Sequence, residues 1–288
     1  MPIPVEYPSK PRRTKIVATI GPACDSPDVI RAMLGAGMNV ARLNLSHGTL
    51  AEHKARLDLL RKVAADIGRH IAIMIDTRGI EIRTRTLAGG QVDLAPGDVF
   101  SLYMDDRPGD DAGVSITYSH LAEEVHRGTP ILLDDGAIEL EVRLVEADII
   151  QCVVIHGGRL GNSKSVNLPE TQLAITAVSP ENRNDVLREL GFAAENDVDY
   201  IAASFIQSAE DIFTMREILL KKDVNIPIIA KIENKAGVDN LDAIVAAADG
   251  IMVARGDLGV ELPLADVPST QKKIIRTTVS QGKPVITA

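Results

Sequence analysis

Short apolar runs alternate with amphipathic stretches of helical length through the first part of the chain. Residues 15–20 are β-rich and close at Gly21-Pro22. Ser26-Pro27-Asp28 then offers an N-cap, a proline for the first helical position and an acid for the first turn, and Gly35-Ala36-Gly37 supplies a stop. A strand is predicted over 39–45, an amphipathic helix from about 50 to 67 ending at Gly68, and a third strand over 71–75. Because these runs are apolar throughout rather than alternating, they suit a parallel sheet covered on both faces.

From about Arg83 to Pro169 the helical period fades. Short alternating segments appear between clusters of turn residues at Gly89-Gly90, Pro96-Gly97-Asp98 and Arg107-Pro108-Gly109-Asp110. Asp134-Asp135-Gly136 predicts a tight turn between strands at 130–133 and 138–144. The α/β alternation resumes with Ser179-Pro180, read as another capped helix start. Strands follow at 200–205, 226–232, 250–254 and 284–287. A capping-box-like helix opens at Ser208, and another helix covers 267–280. The division is therefore 1–82 for a first α/β part, 83–169 for an inserted β-rich segment and 170–288 for a second α/β part. About seven strands belong to the alternating regions, where a closed (β/α)8 TIM-type barrel has eight. The fold class predicted is thus α/β, a barrel incomplete at its C-terminus, with an open doubly wound sheet as the alternative.

At 288 residues, with 45% hydrophobic and 25% charged residues, the chain reads as a soluble globular protein. A formal net charge of -9 argues against nonspecific nucleic-acid binding, which needs a basic face. Two cysteines, Cys24 and Cys152, make no disulfide framework and suggest a reducing compartment. The first residues lack the marks of a signal peptide, and no apolar run approaches the ~20 residues of a membrane span. A cytoplasmic location without membrane or nucleic-acid partners is expected.

Lys231-Ile232-Glu233-Asn234 ends one predicted strand, and Ala254-Arg255-Gly256-Asp257-Leu258-Gly259 ends the next. Both groups should emerge at the same end of adjacent parallel strands. Two carboxylates and two cations, Lys231 and Arg255, are then expected to converge on a pocket suited to a divalent metal and an anionic substrate. Metal-free acid–base chemistry is the competing use of Glu233 and Asp257. The neighbouring cations are expected to hold both acids ionised, which favours metal ligation. Gly256 and Asp257 could also present backbone N–H groups to an anion at a short helix start.

Asn44 and Ser46 after the second strand, with Asp76 and Thr77 after the third, offer oxygens to a hard cation. Turn and helix capping would use the same residue types. Arg42 and Arg83 can grip phosphate in a bidentate way, although arginines are common on any surface. Lys164 could reach phosphate from a lid or serve as a solvated loop residue. His47 beside Gly48 reads more readily as a hydrogen-bonded turn residue than as a catalyst. There is no Walker phosphate loop, no Cys/His metal spacing and no Gly-x-Ser-x-Gly nucleophile.

Taken in order, these motifs resemble the pyruvate kinase family from about residue 14 to 288. The segments concerned include those starting Thr14-Lys15-Ile16-Val17-Ala18-Thr19-Ile20-Gly21-Pro22 and Asn39-Val40-Ala41-Arg42-Leu43-Asn44-Leu45-Ser46-His47-Gly48. Asp76-Thr77-Arg78-Gly79, Leu133-Asp134-Asp135-Gly136, Val166-Asn167-Leu168-Pro169, Ala203-Ser204-Phe205-Ile206, Lys231-Ile232-Glu233-Asn234 and the run through Glu261-Leu262-Pro263 continue the match.

The resemblance implies phosphoryl transfer from phosphoenolpyruvate to ADP, with the β-rich segment as a mobile lid after the third strand. It implies Glu233 and Asp257 as ligands of Mg2+ (or Mn2+), and Lys231 as the group that stabilises the phosphoryl in flight and the enolate. Lys231, Arg42, Gly256 and Asp257 would meet the substrate. Arg42, Asn44, His47, Arg83 and Lys164 would lie on the phosphate and nucleotide side. Asn44, Ser46, Asp76 and Thr77 would hold K+, and Glu81 accords with potassium dependence. A homo-oligomer (tetramer) is implied for the full-length parent.

Three departures stand out. Arg78 and Ile80 replace the family's usual Lys and Pro, and Ser163 stands where a second lid lysine is frequent. The family also continues past this point with a threonine-containing run that assists enolate protonation, an eighth strand and a C-terminal regulatory domain. The chain alone is therefore expected to be weakly active or inactive, with exposed sheet edges. A non-catalytic remnant, or a metal-dependent lyase of the wider phosphoenolpyruvate/pyruvate barrel group, are the alternatives.

Overall fold

A computed structural model describes residues 13–169, 171, 173–180 and 182–288. Its first strands, β1 (Ile16–Thr19), β2 (Met38–Asn44) and β3 (Ala72–Asp76), alternate with helices α1 (Pro27–Ala36) and α2 (Leu50–Asp66). The predicted punctuation explains α1. The Ser26 side chain accepts from the Val29 N–H, Pro27 opens the helix, and Gly37 ends it at φ 108°. That left-handed position lets the Gly37 N–H return to the carbonyls of Met33 and Leu34. A reciprocal capping box between Thr49 and Glu52 starts α2.

The β-rich segment contains β4 (Gln91–Leu94), β5 (Val99–Tyr103), β6 (Gly113–Ser115), the short α3 (Leu121–Glu124), β7 (Pro130–Leu133), β8 (Ile138–Glu146), β9 (Ile149–His156), β10 (Gly158–Gly161) and β11 (Val166–Asn167). A six-stranded sheet runs in the order β11-β7-β8-β9-β5-β6, and β10 pairs with β4. Phe100, Leu102, Ile131, Leu140 and Ile150 belong to a hydrophobic core of its own. Asp134, Asp135 and Gly136 all take positive φ, so the predicted turn joins β7 to β8 as an antiparallel pair.

The alternation then resumes with α4 (Arg183–Glu195), β12 (Tyr200–Ala203), α5 (Ala209–Leu220), β13 (Ile228–Ile232), α6 (Lys235–Asp239), α7 (Leu241–Ala247), β14 (Gly250–Val253), α8 (Arg255–Glu261), α9 (Val267–Ser280) and β15 (Val285–Thr287). The start of α4 differs from expectation. It begins at Arg183, not at Ser179-Pro180, because the Asn182 side chain accepts from the Ser179 N–H instead of capping the helix. Ser208 and Asp211 form the capping box predicted for α5.

Among the described residues, seven parallel strands make one curled sheet in the order β1-β2-β3-β12-β13-β14-β15. The order never reverses, whereas a doubly wound sheet changes direction at a switch point. The architecture is therefore an incomplete TIM-type barrel. Side-chain alternation separates its two faces. Ile73, Ile75, Ile228, Ala230, Ile232, Ile251 and Val253 pack outward into the main core beneath the helices. Met74, Ala202, Ile229 and Met252 form a second cluster on the opposite face, with Val17, Val40, Tyr200 and Ile286 against it. Extending each strand by two residues from that inner cluster leads to Arg42, Asp76, Ser204 and Lys231. Among the described residues no helix is long and apolar enough to cross a membrane.

Candidate active site

Lys231 sits at the centre of the strand ends. Its Nζ lies 2.7 Å from Glu233 Oε1, 3.1 Å from Asp76 Oδ1 and 2.8 Å from Ser204 Oγ. The three partners come from β3 and from the residues just after β13 and β12, which are neighbouring strands in the sheet. Burial alone would lower the Lys231 ammonium, but the carboxylates of Glu233 and Asp76 outweigh it and raise the group. Lys231 is thus a fixed cation in a nearly solvent-free setting.

Glu233 is engaged at both oxygens, since Oε2 accepts from the Phe205 N–H at 2.6 Å. Phe205 takes φ 58°, a left-handed conformation uncommon for a bulky side chain. Sequence reasoning gave Ser204 and Phe205 no role, yet both touch this network. Ser204 donates to the Thr77 carbonyl at 2.7 Å and also contacts Asp76 Oδ1 at 3.1 Å. The signal that could have found them is their position just past β12, level with the polar ends of the neighbouring strands.

Asp257 lies in the first turn of α8, directly after β14. Its charge reaches Glu233. Burial raises Glu233, opposed by Lys231 and reinforced by Asp257. Partial desolvation likewise raises Asp257, opposed by Lys231, although Asp257 retains contact with solvent. Lys231 therefore does not bring either acid back to its ordinary value. Arg255 is one reason: it is exposed and its Nε donates to the Ala288 carbonyl at 2.7 Å, with no ion pair to either acid among the described residues. Two mutually repelling carboxyls beside a fixed ammonium fit a hard divalent cation, which would reverse their repulsion. No cluster of three or more His, Cys, Asp or Glu suited to a metal occurs among the described residues, so substrate or water oxygens would complete such a shell.

Register pairs Asn44 with Asp76, which brings the ends of β2 and β3 together. Asn44 Oδ1 accepts from the Ser46 N–H at 3.1 Å, and Thr77 Oγ1 accepts from the Ser204 N–H. Arg42 meets Asp76 Oδ2 at 2.5 Å and Thr19 Oγ1 at 2.8 Å. Arg83 Nε donates to Glu81 at 2.7 Å, and Lys164 pairs with Asp134 at 2.9 Å on the β-rich segment. His47 is exposed, and its carbonyl accepts from the His53 ring at 2.8 Å.

The family model described as the pyruvate kinase barrel domain matches residues 11–288. The chain belongs to the pyruvate kinase family. A curated pyruvate kinase of Sporosarcina psychrophila is 45% identical over 280 residues, covering 96% of this chain and 47% of that protein. The pyruvate kinase of Staphylococcus saprophyticus is 44% identical over 280 residues, again 96% of this chain and 47% of the relative. That of Staphylococcus aureus is 43% identical over 279 residues with the same coverage. The chain thus spans about half the length of the curated pyruvate kinases it matches. Within the family motifs, Arg78 and Ile80 border Gly79, where a Cβ would come within 2.7 Å of Ser204. That loop approaches the Lys231 network closely in this chain.

Proposed function

We propose that this chain forms the phosphoenolpyruvate and metal side of a pyruvate kinase active centre. The reaction breaks the phosphorus–oxygen bond of phosphoenolpyruvate and forms one to the terminal phosphate of ADP. The enolate left behind takes up a proton to become pyruvate. The observation that carries this reading is the meeting of Lys231 with Glu233 and Asp76 at the strand ends, with Asp257 close enough to perturb Glu233. Glu233 and Asp257 are the proposed holders of Mg2+ or Mn2+. Such an ion would neutralise charge on the phosphoryl and enolate oxygens.

Lys231 supplies a second, permanent positive charge, held by Ser204 and Asp76 so that little reorganisation accompanies transfer. Asn44, Ser46, Asp76 and Thr77 are proposed for K+, which requires Asp76 to share its oxygens with Arg42 and Lys231. Gly256 and Asp257 lie in the first turn of α8, where backbone N–H groups have no helical partner and suit a substrate carboxylate. Arg42, Arg83, Lys164, Asn44 and His47 are the proposed phosphate and nucleotide contacts, with residues 83–169 as a lid that delivers Lys164. The free cysteines Cys24 and Cys152 accord with a reducing cytoplasm. A homo-oligomer, a tetramer in the longer parent, is part of the same proposal.

Calorimetric titration with phosphoenolpyruvate and Mg2+, beside a pyruvate-release assay with ADP, tests the reading. Mg2+-dependent binding and potassium-stimulated pyruvate release are expected. Binding without release would make the chain a non-catalytic receptor. Release of pyruvate without ADP would mean transfer of the phosphoryl group to water, a phosphatase and not a kinase, and no binding at all would overturn the proposal.

A further inference from the structure

Asn167 ends β11, where it is paired with Leu132 on β7, and its Nδ2 donates to Glu261 Oε1 at 3.0 Å. The hydrogen bond joins residues 94 apart in sequence and ties the β-rich segment to the barrel. Glu261 is the last residue of α8, and Asp257 lies in the first turn of the same short helix. Four residues of helix separate them by about 6 Å along the axis, too short a span to bend freely. The Asp257 charge is felt at Glu261, whose carboxyl is raised first by burial.

On the side of the β-rich segment, the turn beside β11 also contains Asp134, the partner of Lys164. Asp135 in that turn is bonded to Ser165, immediately before β11. One connected path therefore runs from Lys164 through the turn and β11 to Asn167, Glu261 and α8. Asn167 Oδ1 is buried without a protein partner, and Asn167 is among the residues lining a cavity of about 60 Å³, with Glu81, Phe205 and Glu261. That space is large enough for a water molecule to satisfy the carbonyl. The cavity between the two parts is lined by polar Asn167, Glu81 and Glu261 together with apolar Ile80, Ile82, Leu168 and Ile175.

We propose that the Asn167–Glu261 hydrogen bond positions α8, and with it Asp257, according to where the β-rich segment lies. Asn167 and Glu261 are positioning residues on this view, and neither touches substrate. The proposal rests on the reading of Glu233 and Asp257 as metal holders and adds the link that sets the second of them.

Mn2+ affinity, read by electron paramagnetic resonance on the full chain, tests the link. Asn167→Ala and Glu261→Ala should each weaken Mn2+ binding about 3- to 10-fold, the scale of one ordinary hydrogen bond. The double variant should be no weaker than either single one, because both remove the same connection. Glu261→Gln should retain affinity near that of the unaltered protein, since it loses the charge but keeps the acceptor. Equal melting temperatures would show that folding is preserved; if Asn167→Ala melts early, Glu261→Gln still separates the bridge from the charge. Asn167→Ala binding as tightly as the unaltered protein, additive losses, or failure of Glu261→Gln to restore affinity would overturn the link alone. An unaltered protein that takes up no Mn2+ would instead overturn the metal reading, and the link with it.

Discussion

Lys231 and Glu233 stand two positions apart at the end of β13, with Nζ and Oε1 separated by 2.7 Å. The spacing puts both side chains on one face of the strand. Asp76, from the neighbouring β3, closes the group from the other side. Replacing Lys231 by methionine would leave buried Glu233 without its cation and Asp76 with Arg42 alone. Breaking such a pair costs about 3–5 kcal/mol. Lys231→Met is therefore expected to melt well below the unaltered protein, with part of the loss recovered by added Mg2+. Where turnover is measurable, it should fall by about 100- to 1000-fold while phosphoenolpyruvate binding persists. Near-normal turnover in the variant would remove Lys231 from the proposed role.

Asp257 and Glu233 repel one another in the absence of a bound cation, so neutralising one should relieve the metal-free protein. Asp257→Asn is expected to raise its melting temperature slightly at neutral pH. The same change should abolish most of the stabilisation that Mg2+ gives by binding the folded state. Thermal melts with and without millimolar Mg2+ read both effects. An Mg2+ response equal in the two proteins would show that Asp257 is not a ligand.

The barrel was legible because each strand announced itself as an apolar run, and the polar groups at 231–234 and 254–259 followed two such runs directly. Parallel adjacency of β13 and β14 places Glu233 and Asp257 at the same end of neighbouring strands, where the Asp257 charge acts on Glu233. Arg255 was not legible, because its choice of the Ala288 carbonyl depends on β15 lying beside β14. Ser204 and Asp76 are 128 residues apart, and the whole β-rich segment intervenes between their strands. No local pattern could pair them. Glu189 stands in an amphipathic stretch where an acid ordinarily faces solvent; only the docking of α4 over the end of β3 buries it.

Gly79 adopts φ 69° in the loop after β3, and a Cβ there would lie 2.7 Å from Ser204 Cβ and 3.0 Å from Phe205 Cδ2. Alanine would add left-handed strain to a clash with two residues of the Lys231 network. Gly79→Ala should therefore cost on the order of 2–4 kcal/mol. Gly90→Ala is a useful reference, having a similar φ of 77° but open space around the new methyl. It should lose only the backbone contribution. Chemical denaturation of both variants checks the difference, and equal losses would mean the Ser204 contact is unimportant.

Glu189 is only 3% exposed, and burial pushes its carboxyl from the ordinary 4.5 to about 7. Its Oε2 still accepts from the Arg78 N–H at 3.2 Å, which anchors the start of the connection to the β-rich segment. Between pH 4.5 and about 7 the folded protein keeps this proton while the unfolded chain has released it. Stability linked to Glu189 is thus fully present below that interval, declines as pH rises through it, and is lost above it. Glu189→Gln keeps an acceptor for Arg78 but never ionises. It should exceed the unaltered protein in stability by on the order of 2–3 kcal/mol at about pH 8, with the gap closing toward pH 5. Urea unfolding across that range measures the effect. A gap that stays constant with pH would mean that Glu189 titrates alike in the folded and unfolded chain.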